Sequence, residues 1–515
     1  MRILFATSHF GFLRNVEPAL HLLAERGHHL HLVADRKDKL GGIRIVENLA
    51  RTYPHITHAW VPTSKRRTWH ALGTAFRLSL DYWRYLHPRY DRSPKLKQRA
   101  RLQAPRTAVT VGSIPVLRTR VGVWALNAVV KTMERTVPYD PVVRQLLEDQ
   151  RPDVLLITPL LYFGSSQVDY VRAARALGIP SVLSVGSWDH LTTKGLIHDV
   201  PDRVIVWNDT QRREAWDIHG VPPAKVTVTG AQAYDRWFSA RPSTSRDEFC
   251  GAIGLDPTQP ILLYLCSSPF ITPVEVGFVE RWVQSIRSCP DPCLRQAGLL
   301  IRPHPQNFEQ WANVDLTAHG NVVIFPRGGT NPIDSMARAE YFDSMYHAAA
   351  VVGVNTSALI ESGIVGRPVH TVLTKEFADT QEGTLHFRHL ENVNGGLLRS
   401  ACDLDEHLGH LVHTLRVPEG SDMRSRGFIE AFIRPQGLDR PAAPIFADAV
   451  EDAVRRGVKR STHGPVWGRL VRGLLYPVAL GAKWLAARRR AARGNLEQRS
   501  TDSLRILFVM ASPEY

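Results

Sequence analysis

A run of small polar residues stands between an apolar strand and a helix in VVGVNTSALIESG, residues 351–363. Asn355, Thr356 and Ser357 supply an amide and two hydroxyls where the helix is expected to begin. The unpaired backbone N–H groups of a helix start favour an anion, so this turn could hold a pyrophosphate. Glu361 follows one helical turn later, at a position where capping alone does not require a carboxylate. An ordinary capped helix is the alternative interpretation.

A second candidate site lies in LLIRPHPQN, residues 299–307, where an apolar strand opens into Arg302 and His304 between prolines. Proline fixes the backbone φ angle, so these side chains have little conformational entropy left to lose on binding. A guanidinium and an imidazole suit a diphosphate leaving group that gains charge in the transition state. Ser267 and Ser268 follow the preceding strand and are further candidates for the same phosphates. A histidine that only supports the loop is the alternative for His304.

The spacing from Glu361 to GRPV at 366–369 resembles the E-x₄-G-x-P-V segment in the donor-binding domain of the type B glycosyltransferase superfamily. Nucleotide-sugar 2-epimerases and CDP-glycerol glycerophosphotransferases are among its members. The resemblance implies that Glu361 holds the ribose hydroxyls and that residues 355–357 hold the diphosphate. In the branch of glycerophosphotransferases and surface-polysaccharide glycosyltransferases, an R-x-H-P segment faces the donor phosphates. That resemblance implies the same role for Arg302 and His304.

The amino-terminal segment ATSHFGFLRNVEPALHLL resembles the start of the same superfamily, where a turn before the first helix often carries a catalytic histidine. The matching position, counted back from Pro18, falls on Asn15 in this chain. His9, at the tip of the first strand, is the nearest candidate for the base that activates the acceptor. Asp189 and His190, in VGSWDHLTTKG after a later strand, are alternative candidates.

Polar residues also follow the donor helix and its next strand, in EFADTQEGTLHFRHL at 376–390. Related enzymes keep acidic and amide groups here that hold the transferred sugar. The resemblance implies a role in donor specificity for Glu376, Gln381 and Glu382. A solvated loop without such a role is the open alternative.

Short apolar runs alternate with helix-length amphipathic segments over most of the chain, which is typical of doubly wound α/β domains with parallel sheets. The pattern predicts two Rossmann-like domains in series, and the resemblance identifies this as the glycosyltransferase type B fold. We place an acceptor-side domain at 1–235 and a nucleotide-donor domain at 236–455. Residues 60–135 are rich in Arg, Lys, Trp and Tyr with helical periodicity, and are expected to form a basic helical insertion.

A basic extension, 456–503, follows the second domain. Within it, residues 463–494 have the pattern of an amphipathic helix that could lie on an anionic membrane surface, with a protein partner as the alternative. One face of that helix carries Trp467, Leu470, Val471, Leu474, Leu475 and Val478, and the other carries Arg469 and Arg472.

The last segment, LRILFVMASPEY at 504–515, repeats the R-I-L-F of the opening strand. We expect it to be the first strand of a further, similar domain, so that the chain is part of a longer protein. A chance edge strand is the alternative.

The composition indicates which classes of partner and which cellular compartment to expect. The chain has 515 residues, 44% of them hydrophobic, and a net charge of +15, which favours anionic partners. Neither a zinc spacing nor an RNA-binding aromatic signature is present, so nucleic acid is not expected as a partner. The cysteines and the absence of a signal-peptide pattern at the start predict a cytoplasmic protein. The basic amphipathic segment 463–494 adds the expectation that it is peripheral on the inner face of the cell membrane. The apolar stretch 473–482 is about half the ~20 residues of a spanning helix, so no spanning segment is expected.

These features predict a glycosyltransferase that moves a sugar from a nucleotide-diphosphate donor to a cell-surface polysaccharide or lipid-linked acceptor. The donor is the substrate, and neither a cofactor nor a metal is expected. A polyol-phosphate transferase with a CDP-linked donor and a UDP-sugar 2-epimerase are alternatives from the same fold. A non-catalytic nucleotide-binding or membrane scaffold is the alternative outside enzymes.

Overall fold

The computed structural model describes residues 1–37, 41–61, 67–330, 332, 334–417, 423–458 and 467–510, with the side chains of 118, 120 and 489–510 excepted. Two parallel sheets of seven and six strands organise these residues. The first sheet contains β1 (Arg2–Thr7), β2 (His29–Ala34), β3 (Ile56–Trp60), β4 (Val154–Thr158), β5 (Ser181–Ser184), β6 (Arg203–Val206) and β7 (Val226–Val228). The second contains β8 (Ile261–Leu265), β9 (Gly298–Arg302), β10 (Val322–Ile324), β11 (Ala350–Gly353), β12 (Val369–Val372) and β13 (Leu398–Ala401).

Helices cover both faces of each sheet. In chain order they are α1 (Glu17–Glu25), α2 (Gly42–Thr52), α3 (Thr68–Arg84), α4 (Pro94–Gln103), α5 (Arg106–Ser113), α6 (Arg120–Thr136), α7 (Pro141–Gln150), α8 (Val168–Leu177), α9 (His190–Thr193), α10 (Asp209–Asp217), α11 (Asp235–Ser239), α12 (Arg246–Ile253), α13 (Val276–Arg287), α14 (Pro292–Gln296), α15 (Ser335–Tyr346), α16 (Ala358–Ile364), α17 (Phe387–Asn392), α18 (Leu404–Arg416), α19 (Met423–Phe432), α20 (Ala442–Arg456) and α21 (Trp467–Met510).

The strand orders confirm the predicted fold class. The first sheet runs β3-β2-β1-β4-β5-β6-β7 and the second β10-β9-β8-β11-β12-β13. Both orders reverse beside the first strand of their sheet, which is the doubly wound Rossmann arrangement. The strands β4, β8 and β9 are buried at every position, as expected where helices cover both faces of a sheet. The carboxyl ends of the strands carry the loops that form the cleft described below.

The helical insertion predicted for 60–135 is present as α3 to α6 and is tied to the first sheet by buried ion pairs. Glu134 accepts from Arg77 at 3.0 Å and from Arg172 of α8 at 2.5 Å, and Arg172 also binds Asp199 at 3.0 Å. Burial alone would raise the pKa of Glu134, but the two guanidinium groups outweigh it and hold the pKa at about 2. The insertion is therefore held by a carboxylate, Glu134, that stays ionised in the protein interior.

The boundary expected at 455 was wrong, because α20 belongs to the first domain. Phe446 and Val450 of this helix are buried in the same apolar cluster as Leu20 and Leu23 of α1. At the start of α20, Asp235 accepts from the backbone N–H of residues 442 and 443 at 2.9 and 2.7 Å. The chain therefore crosses between the domains twice.

The extension forms α21, which packs along α3 and contacts α6 of the insertion. Arg472 donates from Nε to the backbone oxygen of Thr136 at 2.6 Å. The strand expected at 504–515 is wrong over 504–510, since these residues continue α21, and 511–515 lie outside the described residues. Contrary to our expectation, residues 467–488 form a helix that is long and apolar enough, by length and composition, to cross a membrane.

Candidate active site

A cleft of about 540 Å³ lies between the two domains, at the carboxyl ends of their strands. Parallel doubly wound sheets place their ligands at this edge, so the cleft is the candidate active site. The lining side chains with polar or ionisable groups include His9, Arg14, Tyr162, His190, Tyr234, Arg236, His304, Tyr341, Thr356, Ser357 and Glu361.

Glu361, at the end of the first turn of α16, faces this cleft with one carboxylate oxygen engaged. The hydroxyl of Tyr341 donates to its Oε2 at 2.6 Å. Among the described residues Oε1 has no hydrogen-bond partner, so it is free to accept from a ligand. Burial raises the pKa of Glu361 to about 7, although the Tyr341 hydrogen bond and the charges of Arg236 and Arg14 act in the opposite direction. A half-ionised carboxylate at neutral pH is unusual and is typical of functional sites.

Thr356 and Ser357 precede α16 and line the cleft beside Glu361, as predicted. Ser357 is exposed, and its Oγ accepts from the indole Nε1–H of Trp188 at 3.0 Å. Trp188 belongs to the first domain yet packs in the apolar cluster around Leu359 of the second. This contact fixes the Ser357 hydroxyl at the junction of the two domains.

His304 also lines the cleft. Burial, together with the nearby charge of Arg14, lowers the pKa of His304 to about 4, so the imidazole is neutral at physiological pH. Its Nδ1 accepts from the backbone N–H of Gln306 at 3.1 Å. The proton of the neutral ring is therefore on Nε2, and His304 can donate one hydrogen bond without carrying charge.

Arg302 lines the cleft, but its guanidinium is bonded to α15, so the donor contact that the R-x-H-P resemblance implied stays a prediction. Its Nη1 donates to Ser344 at 2.7 Å and its Nη2 to Glu340 at 2.9 Å, both on α15. The guanidinium also lies 5.0 Å from the centre of the Tyr341 ring. Arg302 therefore holds α15 in place and helps to position the tyrosine that binds Glu361.

Three further predicted donor ligands are buried and bonded within the protein. Asn355 donates to the backbone oxygen of Thr380 at 2.5 Å. Gln381 donates to Thr371 at 3.1 Å and is 1% exposed. Ser267 is completely buried and donates from its backbone N–H to Glu275 at 2.9 Å. These residues shape the loops around the cleft and do not line it.

Two other specificity candidates, Glu376 and Glu382, and the phosphate candidate Ser268 lie at the surface or outside the cavity. Glu376 pairs with Arg281 at 2.6 Å on the exposed side of the domain. Glu382 is exposed, and neither carboxylate lines the cleft. Ser268, which is half-buried, accepts from the backbone N–H groups of residues 271 and 272 through its carbonyl oxygen.

On the acceptor side, His9 lines the cleft and Asp189 does not. Nε2 of His9 lies 3.5 Å from the hydroxyl of Tyr162. Asp189 accepts from Ser187 at 2.6 Å and from Thr193 at 2.9 Å. Burial opposes the ionisation of Asp189, but Lys194 and two histidines outweigh it and hold its pKa well below the usual range. A carboxylate so stabilised is a poor proton acceptor, so the geometry favours His9 over Asp189 as the base.

The sequence patterns missed three residues that line this cleft: the cations Arg14 and Arg236, and Tyr341, which binds Glu361. Arg14, in the 3₁₀ turn Phe10–Asn15, is exposed at the cleft and has no hydrogen-bond or ion-pair partner among the described residues. Arg236 lies 3.7 Å from Glu17 and contributes to the charge around Glu361. The signal available for Arg14 was its place directly after the first strand, where loops reach the cleft.

We expect nucleotide binding to weaken as the pH falls from 8 to 6, because a carboxylate accepts hydrogen bonds from hydroxyls better than a neutral carboxylic acid does. With a pKa of about 7 the group is mostly ionised at pH 8 and mostly protonated at pH 6. Affinity for the donor should drop about tenfold over this interval. Calorimetric titration with a nucleotide sugar measures this, because its diphosphate does not titrate in the range. In Glu361→Gln the affinity should not change with pH over this interval. If the variant shows the same pH dependence as wild type, a group other than Glu361 causes it.

No protein-family model and no curated protein matches this chain. Among solved structures it is similar to a putative UDP-N-acetylglucosamine 2-epimerase from Listeria monocytogenes, with 11% identity, a TM-score of 0.49, and coverage of 90% of this chain and 99% of that one. A glycosyltransferase from Rickettsia africae has 9% identity and a TM-score of 0.48, with 88% and 99% coverage. A UDP-GlcNAc 2-epimerase from Methanocaldococcus jannaschii, in complex with UDP-GlcNAc and UDP, has 10% identity and a TM-score of 0.47, with 88% and 100% coverage. Similarity at this level concerns the course of the chain and assigns no role to any residue.

Proposed function

We propose that this protein is a glycosyltransferase that uses a nucleotide-diphosphate sugar as donor. The observation that carries the proposal is the group formed by Glu361, Ser357 and His304 in one interdomain cleft. It combines a free carboxylate oxygen for ribose hydroxyls with neutral donors for a diphosphate. The acceptor is a hydroxyl of a cell-surface polysaccharide or a lipid-linked glycan, and no cofactor or metal takes part.

The proposed reaction breaks the bond between the sugar and the diphosphate. Glu361 holds the ribose, while Thr356, Ser357 and the Nε2–H of His304 donate to the diphosphate oxygens. Arg14, which approaches from the first domain, offsets the charge that the leaving group gains. His9 takes the proton of the acceptor hydroxyl as that oxygen attacks the sugar. The nucleoside diphosphate and the glycosylated acceptor are the products.

The protein is proposed to work in the cytoplasm, peripherally on the inner face of the cell membrane, with residues 463–494 as the contact. This location gives access to a lipid-linked acceptor. The basic composition of the extension supports it, with four Arg or Lys residues and no acidic residue between 467 and 488.

A nucleotide-sugar 2-epimerase is the second candidate, because it needs the same donor contacts but no acceptor. The CDP-linked polyol-phosphate transferase has less support, since Arg302 is directed towards α15. Product analysis separates these reactions. A transferase releases free nucleotide only when an acceptor is present, whereas an epimerase converts the donor without releasing nucleotide.

We expect His304→Ala to lower kcat about a hundredfold while nucleotide affinity changes by less than about threefold. One donor removed from a developing charge costs about 10²–10³ in rate, whereas the ground state loses a single neutral hydrogen bond. The assay follows nucleotide release from UDP-, CDP-, GDP- and dTDP-sugars, with and without a membrane lipid extract as acceptor.

His413→Ala is the matched control, because His413 is exposed on α18 of the same domain and should leave both values unchanged. Wild-type protein that binds a nucleotide but turns over no donor sugar would support the scaffold interpretation. Full activity in His304→Ala would remove His304 from the reaction.

A further inference from the structure

Two neighbouring helices expose apolar side chains that no described residue covers. On α6, Val121 is 75% exposed, Trp124 72% and Val129 53%. These positions recur at helical spacing, so they form one stripe along the outer side of α6. An exposed tryptophan between exposed valines is unusual for a surface that faces only water.

The helix α21 carries a second stripe of the same kind. Leu470 is 73% exposed, Leu474 79% and Val478 54%, again at helical spacing. The opposite side of α21 faces the protein: Ala479 is buried, and the Trp69 ring of α3 lies 6.2 Å from the Tyr476 ring. The apolar stripe therefore points away from the domain to which the helix is docked.

The charges around both stripes have one sign. Between residues 93 and 133, and again between 457 and 496, the sequence contains no Asp or Glu. The single acidic residue of α6 is Glu134, which is buried in its ion pairs with Arg77 and Arg172. Exposed Lys131 and Arg135 follow the α6 stripe. Such a surface complements an anionic lipid leaflet and would repel a positively charged protein partner.

We propose that α6 and α21 together form one membrane-binding platform that lies on an anionic phospholipid leaflet. Both stripes insert among the lipid chains, and the basic residues beside them contact lipid phosphates. A groove between α3, the end of α4 and α21, lined by residues such as Ala71, Leu78, Ala482 and Leu485, adds apolar surface beside the second stripe. Because α21 is docked along α3, it lies on the leaflet and does not cross it.

The platform is connected to the donor domain through α4 of the insertion. Lys95 donates to the backbone oxygen of Ile271 at 3.3 Å, and the guanidinium of Arg99 lies 4.5 Å from the centre of the Phe270 ring. Membrane contact through the insertion therefore places the cleft at a fixed height above the lipid surface.

The test is flotation of the full chain with vesicles of phosphatidylcholine alone or with 30% phosphatidylglycerol added, about one lipid in three. Two double variants interrupt one stripe each: Val121→Glu with Trp124→Glu on α6, and Leu474→Glu with Val478→Glu on α21. The matched control is Val274→Glu with Met336→Glu, at residues that are 74% and 81% exposed elsewhere on the protein. Far-UV circular dichroism and nucleotide binding confirm that each variant is folded.

We expect wild type to bind the anionic vesicles at least tenfold better than the neutral ones, and each stripe variant to lose at least about thirtyfold in partitioning. The control should bind like wild type. Unchanged binding of the α6 variant would overturn the two-helix platform, and equal binding to both vesicle types would overturn the choice of an anionic leaflet. Nucleotide binding is measured separately, so failure here leaves the donor-site proposal untouched.

Discussion

Replacing Glu361 by alanine is expected to weaken nucleotide binding at least a hundredfold. Each hydrogen bond to a charged acceptor contributes about 1.5–3 kcal/mol, and two ribose hydroxyls would lose theirs together. Titration calorimetry with the nucleotide that gives the largest thermal shift measures the loss. Glu382→Ala is the control, because Glu382 is an exposed carboxylate of the same domain that does not line the cleft.

Loss of the Glu361 charge should weaken nucleotide binding but increase the stability of the ligand-free protein. The pKa of Glu361 is raised from an ordinary 4.5 to about 7, so ionisation costs folding free energy above pH 7, and the cost disappears as the pH falls towards 4.5. Glu361→Gln should therefore be more stable than ligand-free wild type at pH 8, by about 1–3 kcal/mol, with no difference near pH 4.5. A variant that loses both stability and binding would indicate a structural role for Glu361.

The second large effect is expected at Glu134, far from the cleft. Glu134→Ala leaves Arg77 and Arg172 buried without their shared carboxylate, and breaking a buried pair in this way costs about 3–5 kcal/mol. Because the pKa of Glu134 is lowered to about 2, its contribution is complete above pH 4.5 and is lost as the pH falls towards 2. Urea denaturation followed by circular dichroism measures the loss.

Glu148→Ala serves as the control for Glu134. Glu148 pairs with Arg144 at 2.8 Å on the exposed side of α7, and such pairs contribute about 0.3–0.5 kcal/mol. If the two variants have the same denaturation midpoint, the ion pairs do not hold the insertion. A selective loss of the insertion should also increase proteolysis between α3 and α6.

The sequence patterns predicted the central strands and the edge strands β7 and β10, and they missed the edge strands β3 and β13. The strands β1, β4, β8 and β9 are buried on both faces, so their continuous apolar runs identified them. The edge strand β3 has the sequence ITHAW, with two exposed positions, and gave no such signal. The boundary at 455 failed for another reason: α20 has an amphipathic pattern, and that pattern does not say which sheet the helix covers.

The position of a site residue could be predicted where a motif placed it directly after a strand. The direction of a side chain could not be predicted where its hydrogen-bond partners come from distant parts of the chain. Thr356, Ser357, Glu361 and His304 line the cleft, as their positions after strands indicated. Arg302 is the last residue of β9, two residues before His304, but Glu340 and Ser344, which lie 38 and 42 residues further along the chain, bind its guanidinium. Only the tertiary structure brings those partners together.

The double crossing has a consequence for the order in which the chain folds. The apolar core of the first domain includes Phe446, Val450 and Ala453, so it cannot be completed until the ribosome has made residue 453. All six strands of the second sheet lie between residues 261 and 401. The later domain therefore has its complete sheet while the earlier one still lacks a helix. During synthesis, the second domain can fold first, whereas the core of the amino-terminal domain is completed only when its final segment is available.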